Sequence, residues 1–383
     1  MAQGLKIVVF GLSLTSSWGN GHATTYRALL SGLAKLGHHV LFLEYDQPWY
    51  AQNRDLISPS YSTVRLYSNL HDMRKNFAET VRDADLVIVG SYVADGARLG
   101  KWVVNTARGV TAFYDIDTPV TLSKLENGGT PYITRDLLPR YDLYLSFTSG
   151  PVLRCLERRY GASMARPLYC SVDPELYVPR STKPAWDLGY MGTYSRDRQP
   201  SIESLLLRSA QEWPDGRFVL AGSQYPGEIR WPHNLEYKTH VSPADHPSFY
   251  AAQRFTLNLT RCEMRAQGYS PSVRLFEAAA CGTPIITDDW PGLECFFIPD
   301  SEILIARNSR DVLDHLQDIS EEQRKAIAKR ARTRVLQEHT GLRRAAELIG
   351  YFHAVTRSRV RSLDSISEQT TVTISRSTCL NEG

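Results

Sequence analysis

The chain alternates between short apolar runs and segments with helical spacing or loop composition. In the first half, strand-like runs occur at residues 6–10, 40–44, 86–89, 110–114, 143–147 and 167–170. Most of them are followed by a helix-patterned segment or a loop. This alternation is typical of a mainly parallel β-sheet with helices on both faces.

A second set of strand-like runs begins after a break in this pattern. Residues 172–186 are richer in proline, which is typical of a linker. Strand-like runs then return at residues 188–191, 218–221, 255–259, 284–287 and 303–306. The chain is therefore predicted to be α/β, with two tandem Rossmann-like, doubly wound domains at residues 1–178 and 179–340 and an interdomain cleft.

Helical periodicity dominates the region after the last strand-like run. Segments 320–338 and 341–352 carry many arginines on the polar face, which favours a solvated helix surface over a binding site. We expect residues 341–357 to form a C-terminal helix that packs back toward the first domain. Residues 358–383 are rich in Ser, Thr and Arg without periodicity, which predicts a disordered tail.

Composition narrows the classes of function. The 383 residues include 44 Lys and Arg and 41 Asp and Glu. This excess of positive charge is too small to indicate a nucleic-acid partner or a membrane surface. The six cysteines include no CxxC pair, which fits a reducing cytoplasm and no zinc site. Segment 5–14 is interpreted as a β-strand rather than a signal peptide, and no run of about 18 apolar residues predicts a transmembrane segment.

Residues 268–288 combine a loop, a helix, a glycine break and a strand. Ser270 is predicted to cap the helix, with Pro271 at its first position. The free N–H groups and positive dipole end of such a helix favour an anion such as a diphosphate. Arg274 and Glu277 lie one turn apart, where Glu277 could reach a sugar hydroxyl; the alternative is an exposed ion pair without a ligand.

Open parallel sheets bind ligands beyond the carboxyl ends of their strands, so two such domains predict a site in the cleft between them. The loop at 192–198 follows the first strand of the second domain and contains Arg196 and Arg198. Guanidinium groups pair bidentately with phosphate oxygens, so we expect both arginines to hold a phosphate. Arg261 and Arg265 are weaker candidates, and an exposed loop with incidental charge is the alternative.

The loop after the first strand contains Gly19, Asn20 and Gly21 and ends at His22. Its glycines let the backbone approach a ligand closely, and we expect it to line the acceptor side of the cleft. His22 is a candidate catalytic residue, although a lone histidine is more often structural. The loop matches neither the GxGxxG fingerprint nor a P-loop.

Asp115 and Asp117 end a buried-looking strand and, being two residues apart, are predicted to face the same way. Paired carboxylates can share a proton, bind a divalent metal or leave one group as a general base. We expect them to be catalytic; the alternative is that one of them caps the turn before Pro119.

With these residues in place, the chain resembles glycosyltransferases of the two-Rossmann (GT-B) architecture, and most closely the CgeB-like glycosyltransferases, over residues 6–352. The segment Glu277-Ala-Ala-Ala-Cys-Gly-Thr-Pro284 matches a pattern whose glutamate binds the ribose or the donor sugar in related families. The resemblance implies this role for Glu277, and a diphosphate-binding role for Arg196 and Arg198.

One position departs from the pattern of the retaining families. Many of their members carry a second glutamate eight positions earlier, where this chain has Tyr269. The loop at 269–272 resembles the CgeB-like form instead, so donor identity and stereochemical course stay open. The implied donor-binding set is Glu277, Arg196, Arg198, Ser270, Ser272, Arg274, Tyr269, Gly192 and Thr193.

The predicted activity is transfer of a sugar from a nucleotide diphosphate sugar to an unidentified acceptor, without cofactor or metal. Asp117 is the best candidate for the base that deprotonates the acceptor hydroxyl. Asp115-Ile-Asp117 also spells the DxD pattern with which single-domain (GT-A) glycosyltransferases hold manganese. Two other functions stay open: a nucleotide-sugar epimerase, and a non-catalytic sugar- or nucleotide-binding component of a surface assembly.

Overall fold

A computed structural model describes the backbone of residues 4–378 and the side chains of residues 4–361. The amino-terminal half forms a sheet of seven parallel strands. The strands are β1 (Lys6–Gly11), β2 (His39–Tyr45), β3 (Thr63–Tyr67), β4 (Leu86–Gly90), β5 (Val110–Asp115), β6 (Leu143–Ser146) and β7 (Ala165–Pro167). The helices between them are α1 (His22–Lys35), α2 (Pro48–Ala51), α3 (Leu70–Arg82), α4 (Gly96–Thr106), α5 (Thr118–Glu126) and α6 (Pro151–Tyr160), with a 3-10 turn at Leu138–Arg140.

The second half contains a sheet of six parallel strands. Its strands are β8 (Trp186–Met191), β9 (Phe218–Ala221), β10 (Leu235–Lys238), β11 (Gln253–Asn258), β12 (Ile285–Thr287) and β13 (Leu304–Ile305). Its helices are α7 (Gln199–Ile202), continued by a π-helical turn at Glu203–Leu207, α8 (Arg208–Glu212), α9 (His246–Ala251), α10 (Cys262–Gln267), α11 (Val273–Ala280), a 3-10 turn at Leu293–Cys295, α12 (Ser309–Asp318), α13 (Glu321–Glu338) and α14 (Gly341–Thr378).

Both sheets are doubly wound, as predicted. The strand orders are β3-β2-β1-β4-β5-β6-β7 and β10-β9-β8-β11-β12-β13. The order reverses between β1 and β4 in the first sheet, and between β8 and β11 in the second. Each reversal opens a crevice beyond the carboxyl ends of the strands, which is where such sheets bind ligands.

The sequence prediction missed two strands, and both lie at sheet edges. Strand β3 has only one buried residue, Tyr67, and β10 has only Leu235. An edge strand faces solvent over much of its surface, so it lacks the continuous apolar run of a central strand. By contrast, every residue of β4 and of β5 is buried. Strand β7 also lies a few residues earlier than the predicted run at 167–170.

Helix α14 packs against α1 of the first half. Gly341 lies so close to Ala28 that a Cβ at position 341 would collide with the Ala28 carbonyl, and Gly32 faces the Gly341 carbonyl in the same way. Its contact with the first half agrees with the predicted packing of residues 341–357, while the boundaries at 178 and 340 stay predictions. The helix continues through Thr378, where the sequence predicts a disordered tail, and residues 379–383 lie outside the described residues.

None of the described helices combines the length and the apolar character that crossing a membrane requires.

Candidate active site

A cleft of about 430 Å³ lies between the carboxyl ends of the two sheets. The loops after β1 and β5 line it from the first half. The loops after β8, β9 and β11 and the start of α11 line it from the second half. The two strand-order reversals therefore face each other across one site, as two Rossmann-like domains require.

The amino-terminal turn of α11 opens on this cleft, but its cap differs from the prediction. The helix begins at Val273 with Ser272 as N-cap, because Pro271 and Ser272 precede it in non-helical conformation. The Ser270 hydroxyl instead hydrogen bonds to Thr148 Oγ1 at 2.6 Å and donates to the Gly268 carbonyl at 3.2 Å. Ser270 nevertheless lines the cleft beside the helix start.

Arg274 is buried in the cleft wall, with 7% of its surface exposed. Its Nη1 donates to Asn258 Oδ1 at 2.8 Å, its Nε donates to the Met191 carbonyl, and its guanidinium lies 4.8 Å from the centre of the Tyr190 ring. These partners are uncharged, so they fix the guanidinium without neutralising it. The alternative of an exposed Arg274–Glu277 pair is therefore wrong.

Glu277 is 2% exposed and sits where both halves and their linker meet. Its Oε1 accepts hydrogen bonds from Tyr177 at 2.8 Å and Thr24 at 3.1 Å, and its Oε2 accepts from Tyr250 at 3.2 Å. His246 Nδ1 lies 3.7 Å from Oε2, and burial lowers the pKa of His246 against the pull of the carboxylate. An ionised carboxylate offers about four acceptor positions, so one remains for a ligand hydroxyl.

The two arginines of the 192–198 loop have different surroundings. Arg198 lines the cleft, where its Nη2 donates to the Thr193 carbonyl at 2.8 Å and its buried Nε has no partner among the described residues. Arg196 is exposed and does not line the cleft. Gly192 lies against the Arg274 guanidinium, where a Cβ would crowd it. The structure therefore brings Gly192, Thr193 and Arg198 into the site without Arg196.

Asp115 and Asp117 do not face the same way. Asp115 is fully buried beneath the cleft, where Tyr144 and Thr121 donate hydrogen bonds to its carboxylate and burial raises its pKa to about 6. Asp117 lines the cleft. The backbone turns at Asp117, with φ −138° and ψ 51°, immediately before α5 begins at Thr118. Side chains two residues apart point to the same side only in an extended chain, so the prediction that the two carboxylates share a face is wrong.

Arg261 enters the site from the loop after β11. Its Nη1 lies 3.4 Å from Asp117 Oδ2, which also accepts from the Tyr92 hydroxyl at 2.8 Å. Its Nε lies 3.3 Å from Asp197 Oδ2. Burial opposes the charged guanidinium, but the two carboxylates raise the pKa of Arg261. A residue that the sequence ranks low thus makes a charged contact across the cleft.

The predicted acceptor-side loop lines the cleft through Gly19, Asn20, Gly21 and His22. Gly19 has a φ of 60° and faces the Ser223 side chain of the opposite half, a left-handed conformation that favours glycine. Burial lowers the pKa of His22, with Asp117 acting in the opposite direction, so the ring is neutral near pH 7. Asn20 Oδ1 accepts from the His22 N–H at 3.1 Å.

Several buried polar atoms of the cleft wall have no hydrogen-bond partner among the described residues. They are Asn20 Nδ2, Thr25 Oγ1, Arg198 Nε and Ser223 Oγ. Buried polar groups normally have partners, and an unmade bond costs about 1–3 kcal/mol. These atoms come from both halves, so a polar ligand spanning the cleft would satisfy them.

Tyr269 does not line the cleft. Its ring lies between Gly150 of the first half and Gly292 of the second, and a Cβ on either glycine would collide with it. The Tyr269 carbonyl accepts from the Ser149 N–H at 3.1 Å, and its φ is 54°. The direct donor contact predicted for Tyr269 is therefore replaced by a packing contact between the halves.

The divergence of Asp115 and Asp117 also bears on the DxD alternative. Only Asp117 reaches the cleft, so the two carboxylates do not form a shared chelate there. Within residues 4–361, no cluster of three or more His, Cys, Asp or Glu side chains has a metal-binding arrangement.

Residues 198–350 match the model of a family described as glycosyl transferase-like. The chain has the GT-B fold, and this segment of it is similar to glycosyltransferases. The family match covers strands β9 to β13 and the helices from α7 to the first part of α14, and it includes Arg198, Arg261 and Glu277. A search of curated protein sequences found no significant match.

Solved structures support the GT-B fold over almost the whole length of the chain. A sucrose-phosphate synthase from Thermosynechococcus elongatus is similar with a TM-score of 0.68 and 14% identity, covering 92% of this chain and 99% of that one. The HepE protein of Anabaena, in complex with UDP and glucose, is similar with a TM-score of 0.66 and 12% identity, covering 91% of this chain and 100% of that one. An alpha-glucosyltransferase in complex with UDP is similar with a TM-score of 0.70 and 13% identity, with the same coverage of both chains.

Sequence reasoning missed the residues that surround Glu277. Tyr177 lies in the proline-richer linker, and His246 and Tyr250 lie on α9, so all three are distant from Glu277 along the chain. No local pattern links them to the glutamate. Thr24, only two positions after His22, could have been found as part of the loop that the sequence had already singled out.

Proposed function

We propose that this glycosyltransferase takes its sugar from a nucleoside diphosphate sugar and passes it to an acceptor on the first-domain side of the cleft. The observation that carries the proposal is a pair of guanidinium groups without carboxylate partners beside an open helix start. Among the described residues, Arg198 and Arg274 bond only to neutral acceptors, and both line the cleft with the first turn of α11. A diphosphate supplies the negative charge that such a site lacks.

The leaving group of this reaction is a nucleoside diphosphate, whose negative charge grows as the glycosidic bond to the donor breaks. Arg198, Arg274 and the amide groups of the α11 start would stabilise that charge without a metal ion. Their positions are fixed by bonds to Thr193, Met191 and Asn258, so little reorganisation accompanies the reaction. Glu277 would accept a hydroxyl of the ribose or of the donor sugar at its remaining acceptor position.

Asp117 is the candidate base because it is the carboxylate that reaches the first-domain wall of the cleft. Tyr92 holds its Oδ2 at 2.8 Å, which leaves Oδ1 for the acceptor hydroxyl. Asp115 positions Asp117, because its carboxylate accepts a hydrogen bond from the Asp117 N–H at 3.2 Å. Asp115 is thus a positioning residue in this proposal.

The nucleotide is the first part of the proposal to test. Two of the similar structures contain UDP, so the panel begins with UDP and extends to GDP, ADP and CDP. A nucleotide at 100 times its dissociation constant stabilises the protein by about 2.7 kcal/mol, which a thermal-shift assay detects. If no nucleoside diphosphate raises the melting temperature or binds by calorimetry, the proposal is wrong.

Product analysis then separates transfer from the other activities. A transferase forms a glycoside only when an acceptor is present, whereas an epimerase converts the donor sugar without one. Tight donor binding without consumption in either assay would favour a non-catalytic binding protein.

We extend the proposal to a CgeB-like enzyme that acts in the cytoplasm. The segment 269–272 and the EAAACGTP pattern support the subfamily. The described cysteines, including the buried Cys170 and Cys281, are all free thiols, which a reducing compartment preserves. Detection of the native protein in the soluble cytoplasmic fraction, against a secreted control, tests the location.

A further inference from the structure

Arg261 differs from the other two arginines of the cleft in having carboxylate partners. Its guanidinium spans the two halves, lying 3.4 Å from Asp117 Oδ2 and 3.3 Å from Asp197 Oδ2. Arg198 and Arg274 form no ion pair among residues 4–361. The candidate base is therefore held by a cation from the opposite domain.

The loop that carries Arg261 is rigidly anchored. The carboxylate of Asp288, at the end of β12, accepts hydrogen bonds from the Thr260 N–H at 3.1 Å and from the Thr260 hydroxyl at 2.9 Å. Asp197 also accepts from the Cys262 N–H at 3.4 Å. The backbone on both sides of Arg261 is thus fixed, while its long side chain, a third exposed, can change partner.

A diphosphate in the cleft would compete for this side chain. Arg261, Arg198 and the α11 start line the same 430 Å³ space, so a diphosphate held by the latter two lies within the volume that Arg261 borders. A guanidinium pairs bidentately with phosphate oxygens, and its two present contacts of 3.3 and 3.4 Å are longer than strong charge-assisted hydrogen bonds of about 2.7–2.9 Å.

We propose that Arg261 is a donor-responsive switch, which pairs with Asp117 in the empty cleft and moves to the donor diphosphate when it binds. The exchange neutralises the diphosphate and releases the Asp117 carboxylate from its cationic partner, so Asp117 acts as a base without a competing cation only after the donor has entered. This inference rests on the proposed function, because it needs a nucleoside diphosphate in the cleft. It also adds Arg261, in place of Arg196, as a third diphosphate-binding arginine beside Arg198 and Arg274.

The experiment is a double-mutant cycle on UDP affinity, measured by calorimetry on the full chain. Asp117→Asn keeps the side-chain shape and still accepts from Tyr92, but it no longer holds Arg261 by charge. UDP should then bind about two- to fivefold tighter, the range expected for a partly exposed ion pair that no longer competes. Arg261→Ala should weaken UDP binding about tenfold. In the Arg261→Ala background, Asp117→Asn should leave UDP affinity unchanged.

Arg196→Ala serves as the matched control, because Arg196 is an exposed arginine of the neighbouring loop outside the cleft. It should bind UDP like the wild type. Circular dichroism checks that each variant folds; if Arg261→Ala does not fold, Arg261→Lys replaces it and should weaken UDP binding by losing the planar fork.

The outcomes separate the two proposals. If the wild type binds no nucleoside diphosphate, the proposed function is wrong and the switch falls with it. If the wild type binds UDP but Asp117→Asn leaves the affinity unchanged, or tightens it equally with and without Arg261, the function stands and the switch alone is wrong.

Discussion

The carboxylate of Glu277, on α11 of the second half, accepts a hydrogen bond from the hydroxyl of Thr24, on α1 of the first half, at 3.1 Å. The residue proposed to hold the donor is therefore also a direct link between the halves. Tyr177 of the linker donates to the same oxygen at 2.8 Å, so donor binding and domain packing share one carboxylate.

We expect Glu277→Gln to weaken UDP binding about tenfold, because a hydrogen bond to a charged acceptor contributes about 1.5–3 kcal/mol and the amide lacks the charge. The control Thr24→Val removes one link between the halves and should lower the free energy of unfolding by about 0.5–1.5 kcal/mol without abolishing UDP binding. Calorimetry and thermal melting measure the two effects. Wild-type UDP affinity in Glu277→Gln would exclude a contact with the ribose, and wild-type affinity for the intact nucleotide sugar as well would remove this residue from the donor site.

Arg198→Ala should weaken UDP binding by about tenfold or more, since it removes a cation that borders the cleft without a carboxylate partner. Arg196→Ala should leave UDP binding unchanged, because Arg196 is exposed and does not line the cleft. Titration of both variants with UDP gives the comparison. An equal loss of UDP affinity in the two variants would instead support the sequence-based prediction that both Arg196 and Arg198 bind the diphosphate.

Asp117→Asn should lower the transfer rate by about 10²–10⁴-fold while UDP remains bound, as expected when a general base is removed. Asp115→Asn should lower the rate less, because Asp115 lies beneath the cleft and acts through the Asp117 backbone. EDTA should not change the wild-type rate, since arginines take the place of a metal in this proposal. Loss of activity with EDTA, restored by manganese, would favour the DxD interpretation.

Stability should fall with acidity through His339. Its ring stacks on Phe276 at 4.3 Å and its Nδ1 accepts from Arg344 at 2.6 Å, an arrangement that requires the neutral ring. Burial, together with Arg344 and Arg334, lowers the pKa of His339 to about 3.

Because the unfolded chain binds the proton near pH 6.5, stability is complete above that pH and decreases as the pH falls toward 3. Between pH 7 and 5, the wild type should lose about 2 kcal/mol more of its free energy of unfolding than His339→Gln, which does not titrate. Urea unfolding at the two pH values measures this difference. Parallel losses in both proteins would show that His339 is protonated in the fold.

The sequence was sufficient to predict those helices and strands that a local pattern of apolar and polar residues determines. Central strands such as β4 and β5 are buried on both faces and therefore appear as apolar runs, whereas the edge strands β3 and β10 each have only one buried residue and leave no such signal. The capping box of α13 follows the same logic, because Ser320 and Gln323 satisfy each other's backbone locally.

The site could be predicted only where its residues belong to one segment. Glu277 and Arg274 occupy neighbouring turns of α11, so their joint presence at the cleft followed from helical spacing. The orientation of Asp115 relative to Asp117 did not, because the chain leaves extended conformation at Asp117. The contact between Arg261 and Asp117 joins residues 144 positions apart, and only the packing of the two halves determines it.

The position of the Tyr269 ring between the two halves limits how the chain can be redesigned. Grafting the acidic residue that resembling retaining families carry at this position would extract an aromatic ring from between Gly150 and Gly292 before any new sugar contact was gained. Such a variant would weaken the packing between the two halves rather than change the choice of donor. Engineering of sugar preference is better directed at Asn20 and Ser223, which line the cleft with polar atoms that have no hydrogen-bond partner among the described residues.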